Sequence, residues 1–198
     1  MNTKALLSAL AVTVVGFGAS PTALHAQDVA IQPRASNVTT TAPQPKKSPM
    51  NSTSLRTADG YARIVYSQPM LRGRDMLGDK VPYGKVWRFG ANEATEIFLT
   101  EELEINGETE IPAGAYAIFC IPGEDSWTLI FSESLGEWGA YNYDESEDVA
   151  RVTLPVTEGD NAFEAFTIYF EEVAGEEQDK LVMAWGGSRV EAMVEFDD

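Results

Sequence analysis

Short segments of alternating apolar and polar residues follow one another from Tyr61 to the end of the chain, with turn residues between them. In residues 61–67, Ala62, Ile64 and Tyr66 share one side, which is the two-residue period of a half-buried strand. The sequence has no amphipathic helical pattern of useful length. About ten such segments predict an all-β fold, either an antiparallel β-sandwich or an open barrel.

Three of these segments allow more detailed predictions. Asn106 and Gly107 separate two short alternations and predict a tight hairpin. Residues 115–121, AYAIFCI, are apolar almost throughout and predict a central strand that is covered on both faces. Residues 186–188, GGS, predict a second tight hairpin between the last two strands. The predicted strands are residues 61–67, 85–89, 94–100, 103–111 (a hairpin), 115–121, 127–131, 149–156, 163–172, 180–186 and 189–196.

The N-terminal part of the chain predicts export. Lys4 precedes an apolar run and the small-residue end ALHAQ, which is the layout of a signal peptide over residues 1–26. Residues 27–50 are rich in Thr, Pro, Gln and Ser and predict a flexible linker. We therefore expect one β domain over residues 51–198, in a periplasmic or secreted protein without a membrane insertion after cleavage.

Removal of the signal peptide limits the chemistry. His25 is the only histidine of the chain, so the cleaved protein has neither a catalytic imidazole nor an imidazole metal ligand. Cys120 is the only cysteine, so it cannot form an internal disulfide and is predicted to be a small buried side chain. No nucleophile elbow, phosphate-binding loop or dinucleotide fingerprint occurs in the sequence. We therefore favour a non-catalytic protein.

The charge of the chain is strongly negative and unevenly distributed. The formal net charge is −17, and the loss of Lys4 makes it 13 − 31 = −18. Such a surface repels nucleic acid and anionic membranes, so neither is an expected partner. Residues 56–88 nevertheless have seven basic and three acidic residues, whereas residues 89–198 have three basic and 27 acidic ones.

Long stretches of the sequence resemble one known family. The stretches are YSQPMLRGRDMLGDKVPYGKVWRFGANEATEI, IPAGAYAIFCIPGEDSWTLIFS and WGAYNYDESEDVARV. They resemble the bacterial domain of unknown function 2911, and the resemblance runs from about residue 51 to the end of the chain. It implies an exported protein with a β-rich fold and brings no established activity.

The basic segment has two interpretations. In the first, it is structural: Trp87 anchors the core, Arg88 pairs with Glu93 or Glu96, and the cations offset the charge of the acidic strands. In the second, it forms a groove for a small molecule or a glycan, because rings cover apolar sugar faces while planar donors and carboxylates fix polar groups. The candidate ligand-binding residues are Tyr83, Trp87, Arg88, Asn92 and Glu93, with Trp138 and Tyr141 on the loop 132–148 as an opposing wall.

Two weaker hypotheses concern carboxylates. The segment DESED contains Asp144, Glu145, Glu147 and Asp148, and oxygen-rich loops of this kind bind calcium, although the spacing differs from that of the twelve-residue calcium loop. No other cofactor is expected. The alternative to a binding protein is a carboxylate-dependent glycoside hydrolase, in which Glu93 together with Glu96, or with one of Asp144 and Asp148, would supply acid and base. The sequence gives no indication of the oligomeric state.

Overall fold

The computed structural model describes residues 46–176 and 178–196, apart from the side chains of residues 160 and 161. Within these residues the regular structure consists of nine strands and a single 3₁₀ turn, Glu145–Glu147. None of the helical structure described is long or apolar enough to cross a membrane. The strands are β1 (Met50–Arg56), β2 (Tyr61–Ser67), β3 (Thr95–Leu99), β4 (Leu103–Ile105), β5 (Thr109–Ile111), β6 (Gly114–Pro122), β7 (Ser126–Ser132), β8 (Asp148–Glu172) and β9 (Asp179–Phe196).

The nine strands form one antiparallel sheet in the order β1-β2-β3-β6-β7-β8-β9-β4-β5. The first part of β8 pairs with β7, and the rest of this long strand pairs with β9. β8 therefore carries the sheet from one half into the other, and the two halves enclose a common core as an open sandwich. This confirms the prediction of an all-β antiparallel fold, with nine strands where we expected about ten.

The core lies on one face of the sheet and follows the two-residue period of the strands. Ala62, Ile64 and Tyr66 of β2 are all buried, as the alternation in the sequence predicts. The Tyr66 hydroxyl donates to the carbonyl oxygen of Ile168 and accepts from the Ile168 amide, at 3.1 and 3.0 Å. The hydroxyl thus satisfies backbone groups of β8 inside the core, where an unpaired polar group would be costly.

Strand β6 is covered on both faces, as its apolar sequence predicts. Ile118 and Cys120 belong to the main core, while Ala117 and Phe119 face the other side of the sheet. The second side is covered by Val86, Ala140 and Tyr143 and by other residues of a smaller cluster. The loop between β7 and β8 is thereby held against the outer face of the sheet.

Two predicted hairpins have different outcomes. β4 and β5 are joined by residues 106–108, in which Asn106 and Gly107 have left-handed φ values of 54° and 68°. The first hairpin is therefore confirmed, with three residues in its loop where the Asn-Gly pair predicted two. The predicted hairpin at residues 186–188 is wrong, because β9 continues through it. Gly186 has a φ of 59° and pairs with Phe163, and the register shifts there, so the glycine produces an irregularity within a strand rather than a reversal.

The predicted strand 85–89 is also wrong. Only Trp87 pairs in strand fashion, through an isolated bridge in which Trp87 and Cys120 exchange backbone hydrogen bonds of 2.7 and 2.8 Å. Phe89 has a φ of 53° and is buried, which ends the extended conformation two residues later. A left-handed phenylalanine is uncommon and gives no signal in a sequence pattern.

The predicted signal peptide and residues 27–45 of the predicted linker lie outside the described residues. The last residues of the predicted linker do lie within them. The Ser48 and Pro49 carbonyl oxygens accept hydrogen bonds from Asn92 and Gln68, and β1 begins at Met50.

Candidate ligand-binding site

The candidate site is built on the long connection between β2 and β3, residues 68–94. Near its start, the Leu71 amide donates to Glu164 of β8 and the Phe166 amide donates to Pro69, so this part pairs with β8. Towards its end, the bridge between Trp87 and Cys120 holds the connection beside β6. The connection is therefore bound to two strands of the sheet, to β8 near its start and to β6 near its end. A pocket lies along the connection.

The pocket has a volume of about 880 Å³, which is within the range of small-molecule sites. Residues 69–91 supply most of its lining, and the other walls are Lys47 and Ser48, Ala140 and Tyr141 of the loop after β7, and Trp185 of β9. We call it the cationic pocket, after the six basic side chains in its lining: Lys47, Arg72, Arg74, Lys80, Lys85 and Arg88.

Two indole rings form the buried part of the cationic pocket. Trp87 and Trp185 stack with their ring centroids 5.6 Å apart and 13° between the ring planes. The Trp87 Nε1 donates to the carbonyl oxygen of Gly90 at 3.0 Å. The Trp185 Nε1 is buried and has no partner among the described residues. One indole is therefore fixed by a hydrogen bond, whereas the buried ring nitrogen of the other has no partner among the described residues.

Most of the basic side chains in the cationic pocket form no ion pair within the part of the chain that the structure describes. Among the described residues that line it, none is acidic. Lys80 forms an exposed ion pair with its neighbour Asp79, at 3.1 Å. The other five basic side chains have no ion pair with any described residue. These five side chains therefore do not offset the acidic strands through ion pairs, although the structural interpretation of the sequence expected the cations to lie against carboxylates.

Backbone carbonyls hold two of the arginines in place. Arg74 donates from Nε to Leu71 and from Nη2 to Met70, each at 3.0 Å. Arg72 donates from Nη2 to the Lys47 carbonyl oxygen at 2.6 Å, so its guanidinium group lies against the Lys47 backbone. A carbonyl dipole orients a guanidinium group but does not cancel its charge. The Glu164 carboxylate accepts from the Arg72 backbone amide at 2.7 Å and forms no ion pair with its guanidinium group.

Arg88 is the most enclosed of the six basic residues. It is half-buried, and its Nε is buried without a partner among the described residues. Gly139, with a φ of 87°, lies against it: a Cβ at this position would approach the Arg88 Nη1 to 3.1 Å. The same Cβ would come within 2.8 Å of the Tyr141 ring. The absence of a side chain at Gly139 thus leaves space for both groups that border the pocket here.

The structure separates the seven predicted ligand-binding residues into two sets. Trp87, Arg88 and Tyr141 line the cationic pocket. Tyr83 does not line it and packs over Gly78, where a Cβ would meet its ring at 2.9 Å. Trp138 lies outside it too, with Lys46 Nζ 5.8 Å from its ring centroid.

Asn92 and Glu93 also lie outside the cationic pocket, and both have structural contacts. The Asn92 Nδ2 donates to the Ser48 carbonyl oxygen and to the Ser67 Oγ, at 3.2 Å each. Glu93 pairs with Lys46 at 2.9 Å, and the hydrogen bond from Lys46 lowers the pKa of its carboxyl group. Neither Glu93 nor Glu96 pairs with Arg88, and Glu96 accepts from the Gly136 amide instead.

The acidic segment 144–148 has internal partners for most of its carboxylates. Asp144 caps the 3₁₀ turn by accepting from Ser146, and Asp148 accepts from Tyr143 at 2.6 Å and from Arg151 at 2.8 Å. Arg151 also pairs with Glu145 at 3.2 Å, while Glu147 is exposed. In the part of the chain that the structure describes, no three His, Cys, Asp or Glu residues are grouped to hold a metal ion. The calcium hypothesis stays a prediction.

Several residues of the site were not predicted from the sequence. The charge excess in residues 56–88 indicated the five cations from Arg72 to Arg88, but it did not indicate that they share a pocket without acidic residues. Lys47 lies in the segment that we assigned to the linker, and Trp185 is remote in sequence from the other lining residues. Only the packing of β9 against the connection brings Trp185 to this pocket.

Comparison with known proteins identifies the family of the chain. The model of the DUF2911 family, described as a protein of unknown function, matches residues 48–194. The chain therefore belongs to the DUF2911 family, which confirms the resemblance seen in the sequence. No significant match was found among the curated proteins or among the solved structures.

Proposed function

We propose that this protein is an exported, non-catalytic binding module that holds a small organic ligand in the cationic pocket. The observation that supports this function best is the pocket itself, which combines stacked indoles with Arg88, a basic residue whose buried Nε has no partner among the described residues. A buried donor on a charged group is rare without a partner and calls for an acceptor. A ligand seated against Arg88 would supply one.

The scaffold around the pocket suits binding. Trp87 is fixed by Gly90 and by the stack on Trp185, and the arginines at residues 72 and 74 are fixed by carbonyl oxygens. Rigid walls lower the entropy that a ligand must lose on association. The alternative function, a carboxylate-dependent glycoside hydrolase, has no specific observation in its favour at this pocket, because no acidic residue was found among the described lining residues.

The proposed function can be tested by filling the pocket. Ala91 lines the cationic pocket and is partly exposed, so Ala91→Trp would occupy ligand volume without replacing a core residue. Ala58, exposed in the turn between β1 and β2, gives the matched control Ala58→Trp. The measurement is the melting temperature of each protein with a library of organic acids, amines and oligosaccharides.

We expect at least one compound to stabilise the wild type and Ala58→Trp, but not Ala91→Trp. A ligand present at 100 times its dissociation constant stabilises by about 2.7 kcal/mol, which is measurable in a domain of this size. A compound that stabilises all three proteins equally would place binding outside the cationic pocket and refute the proposal.

A further inference from the structure

The chemistry of the cationic pocket defines the class of its ligand, and this inference rests on the proposed function. The geometry points to an organic polyanion, which carries two or more acid groups on an apolar body, as the ligand. Four features of the described residues support this assignment: the sign of the charge, the burial of Arg88, the number of cations and the apolar lining.

The sign of the charge is unusual for this chain. The formal net charge is −17, yet six basic and no acidic side chains are found among the described residues that line the pocket. Placing like charges together costs free energy unless an ion of opposite charge binds between them. A neutral ligand would leave this repulsion in place, and a cation would increase it. An anion is therefore the ligand that the pocket stabilises most.

Arg88 gives the anion a specific position. Its guanidinium group is half-buried against Gly139, and its Nε has no hydrogen-bond partner among the described residues. A partly desolvated charge without a counter-ion is costly. A carboxylate, sulfonate or phosphate group can accept two parallel hydrogen bonds from a guanidinium group, which would satisfy both the charge and the orphan donor.

The number of the cations indicates more than one acid group. Six basic side chains line the pocket, and five of them have no ion pair with a described residue. One acid group can form the bidentate contact with a single guanidinium group and leaves most of the other charges without a counter-ion. Two acid groups on one body can bind two of these cations at once.

The remaining lining indicates an apolar body between the acid groups. Trp87, Trp185, Met70, Met76 and Val86 all line the pocket, and an inorganic ion would leave these surfaces without contacts. Methionine side chains adapt to varied apolar shapes, and indole rings pack against flat ones. The charge and the apolar lining together favour an organic polyanion over both inorganic phosphate and a neutral sugar.

The test uses probes that share one naphthalene ring system and differ in charge. Calorimetric titrations measure the affinity of the protein for naphthalene with one, two or three sulfonate groups and for neutral naphthalenemethanol. Inorganic sulfate is titrated as well, and each titration is done at about 0.05 M and about 0.5 M salt. We expect the affinity to rise roughly tenfold with the second sulfonate at low salt, since hydrogen bonds to charged groups are the stronger kind. We expect it to fall at high salt, and inorganic sulfate alone to bind more weakly than the disulfonate.

Variants assign the binding to the pocket. Arg88→Gln should lower the affinity for the disulfonate roughly tenfold or more, because the hydrogen bonds to a half-buried charge are lost. Lys85→Gln, at an exposed position, should lower it roughly twofold to fivefold and serves also if Arg88→Gln does not fold. Arg63→Gln removes one charge from the exposed face of β2, outside the pocket, and should leave the affinity unchanged.

The outcomes separate this inference from the proposed function. Equal affinity for the neutral and the charged probes, abolished by Ala91→Trp, would overturn the polyanion inference and leave the proposed function standing. Failure of every naphthalene probe to bind would overturn the polyanion inference. The proposed function would then still be decided by the melting temperatures measured with the compound library. Binding of the disulfonate that Ala91→Trp, Arg88→Gln and Lys85→Gln all leave unchanged would also overturn it.

Discussion

The indole of Trp87 stacks on that of Trp185 at 5.6 Å between centroids, and of the two ring nitrogens only that of Trp87 has a hydrogen-bond partner among the described residues. Both residues are buried, with exposed fractions of 9% for Trp87 and 1% for Trp185. They therefore provide a comparison in which the apolar packing is similar and the hydrogen bonding differs.

We expect Trp87→Phe to destabilise the protein by about 1 kcal/mol more than Trp185→Phe, because the first change removes a formed hydrogen bond and leaves the Gly90 oxygen unpaired. The second change removes a donor without a partner. Urea denaturation of the two variants, read by circular dichroism, measures the difference. An equal or larger loss for Trp185→Phe would show that its ring nitrogen has a partner in solution.

Asn92 allows a second comparison, because it combines a left-handed φ of 61° with two hydrogen bonds. Asn92→Ala and Asn92→Gly both remove the bonds to Ser48 and Ser67, but only alanine is strained at this φ. We expect the Asn92→Ala protein to be less stable than the Asn92→Gly protein by up to about 1 kcal/mol, because the backbone strain of alanine at this φ exceeds the entropy cost of glycine. Thermal unfolding measures this order.

The same two variants test the position of Asn92 relative to the site. Asn92 does not line the cationic pocket, so any ligand of the wild type should bind to the folded variants with unchanged affinity. A tenfold loss of affinity in Asn92→Gly, without a loss of folded protein, would place Asn92 among the binding residues after all.

The strands could be predicted from the sequence where side chains alternate. Ala62, Ile64 and Tyr66 are buried on one face of β2, and Asn106-Gly107 forms the turn of a hairpin, because both patterns depend on local geometry. The prediction of a break between the last two strands was wrong. Two glycines favour a reversal locally, but the pairing of β9 with β8 continues through them.

The site could be predicted only in part, because its position depends on contacts between distant residues. The sequence indicated an excess of cations and the rings at Trp87 and Tyr141, which do line the pocket. It also favoured Asn92 and Glu93, which are close to Arg88 in sequence but contact Ser48 and Lys46. The left-handed Phe89 turns the chain between Arg88 and these two residues, and no pattern in the sequence indicated that turn.

The predicted export leads to a third prediction. If residues 1–26 act as a signal peptide, the exported protein should begin at Gln27, and a variant without residues 2–26 should stay in the cytoplasm, because it lacks the apolar run that the export machinery recognises. Mass spectrometry of the intact protein from periplasmic and culture fractions checks this. An exported protein that retains residues 1–26 would refute cleavage at this position.

The last prediction concerns Tyr143, which holds the loop after β7 against the sheet. Burial raises the pKa of its hydroxyl group to about 12, and the hydrogen bond to Asp148 adds to this, while Arg151 acts in the opposite direction. The ordinary value is 10.0, so the folded state favours the protonated phenol. The stabilisation is therefore complete below pH 10 and is lost as the pH rises towards 12.

We accordingly expect the melting temperature of the wild type to fall as the pH rises from 10 to about 12. The melting temperature of Tyr143→Phe, which has no phenolic proton to lose, should fall less steeply. Part of the decline should remain in the variant, since burial also raises the pKa of Tyr66 and Tyr116. Tyr61→Phe is the matched control and should follow the wild type, because Tyr61 packs against Arg56 and not against Asp148. Parallel curves for the wild type and Tyr143→Phe would show that the alkaline loss arises elsewhere.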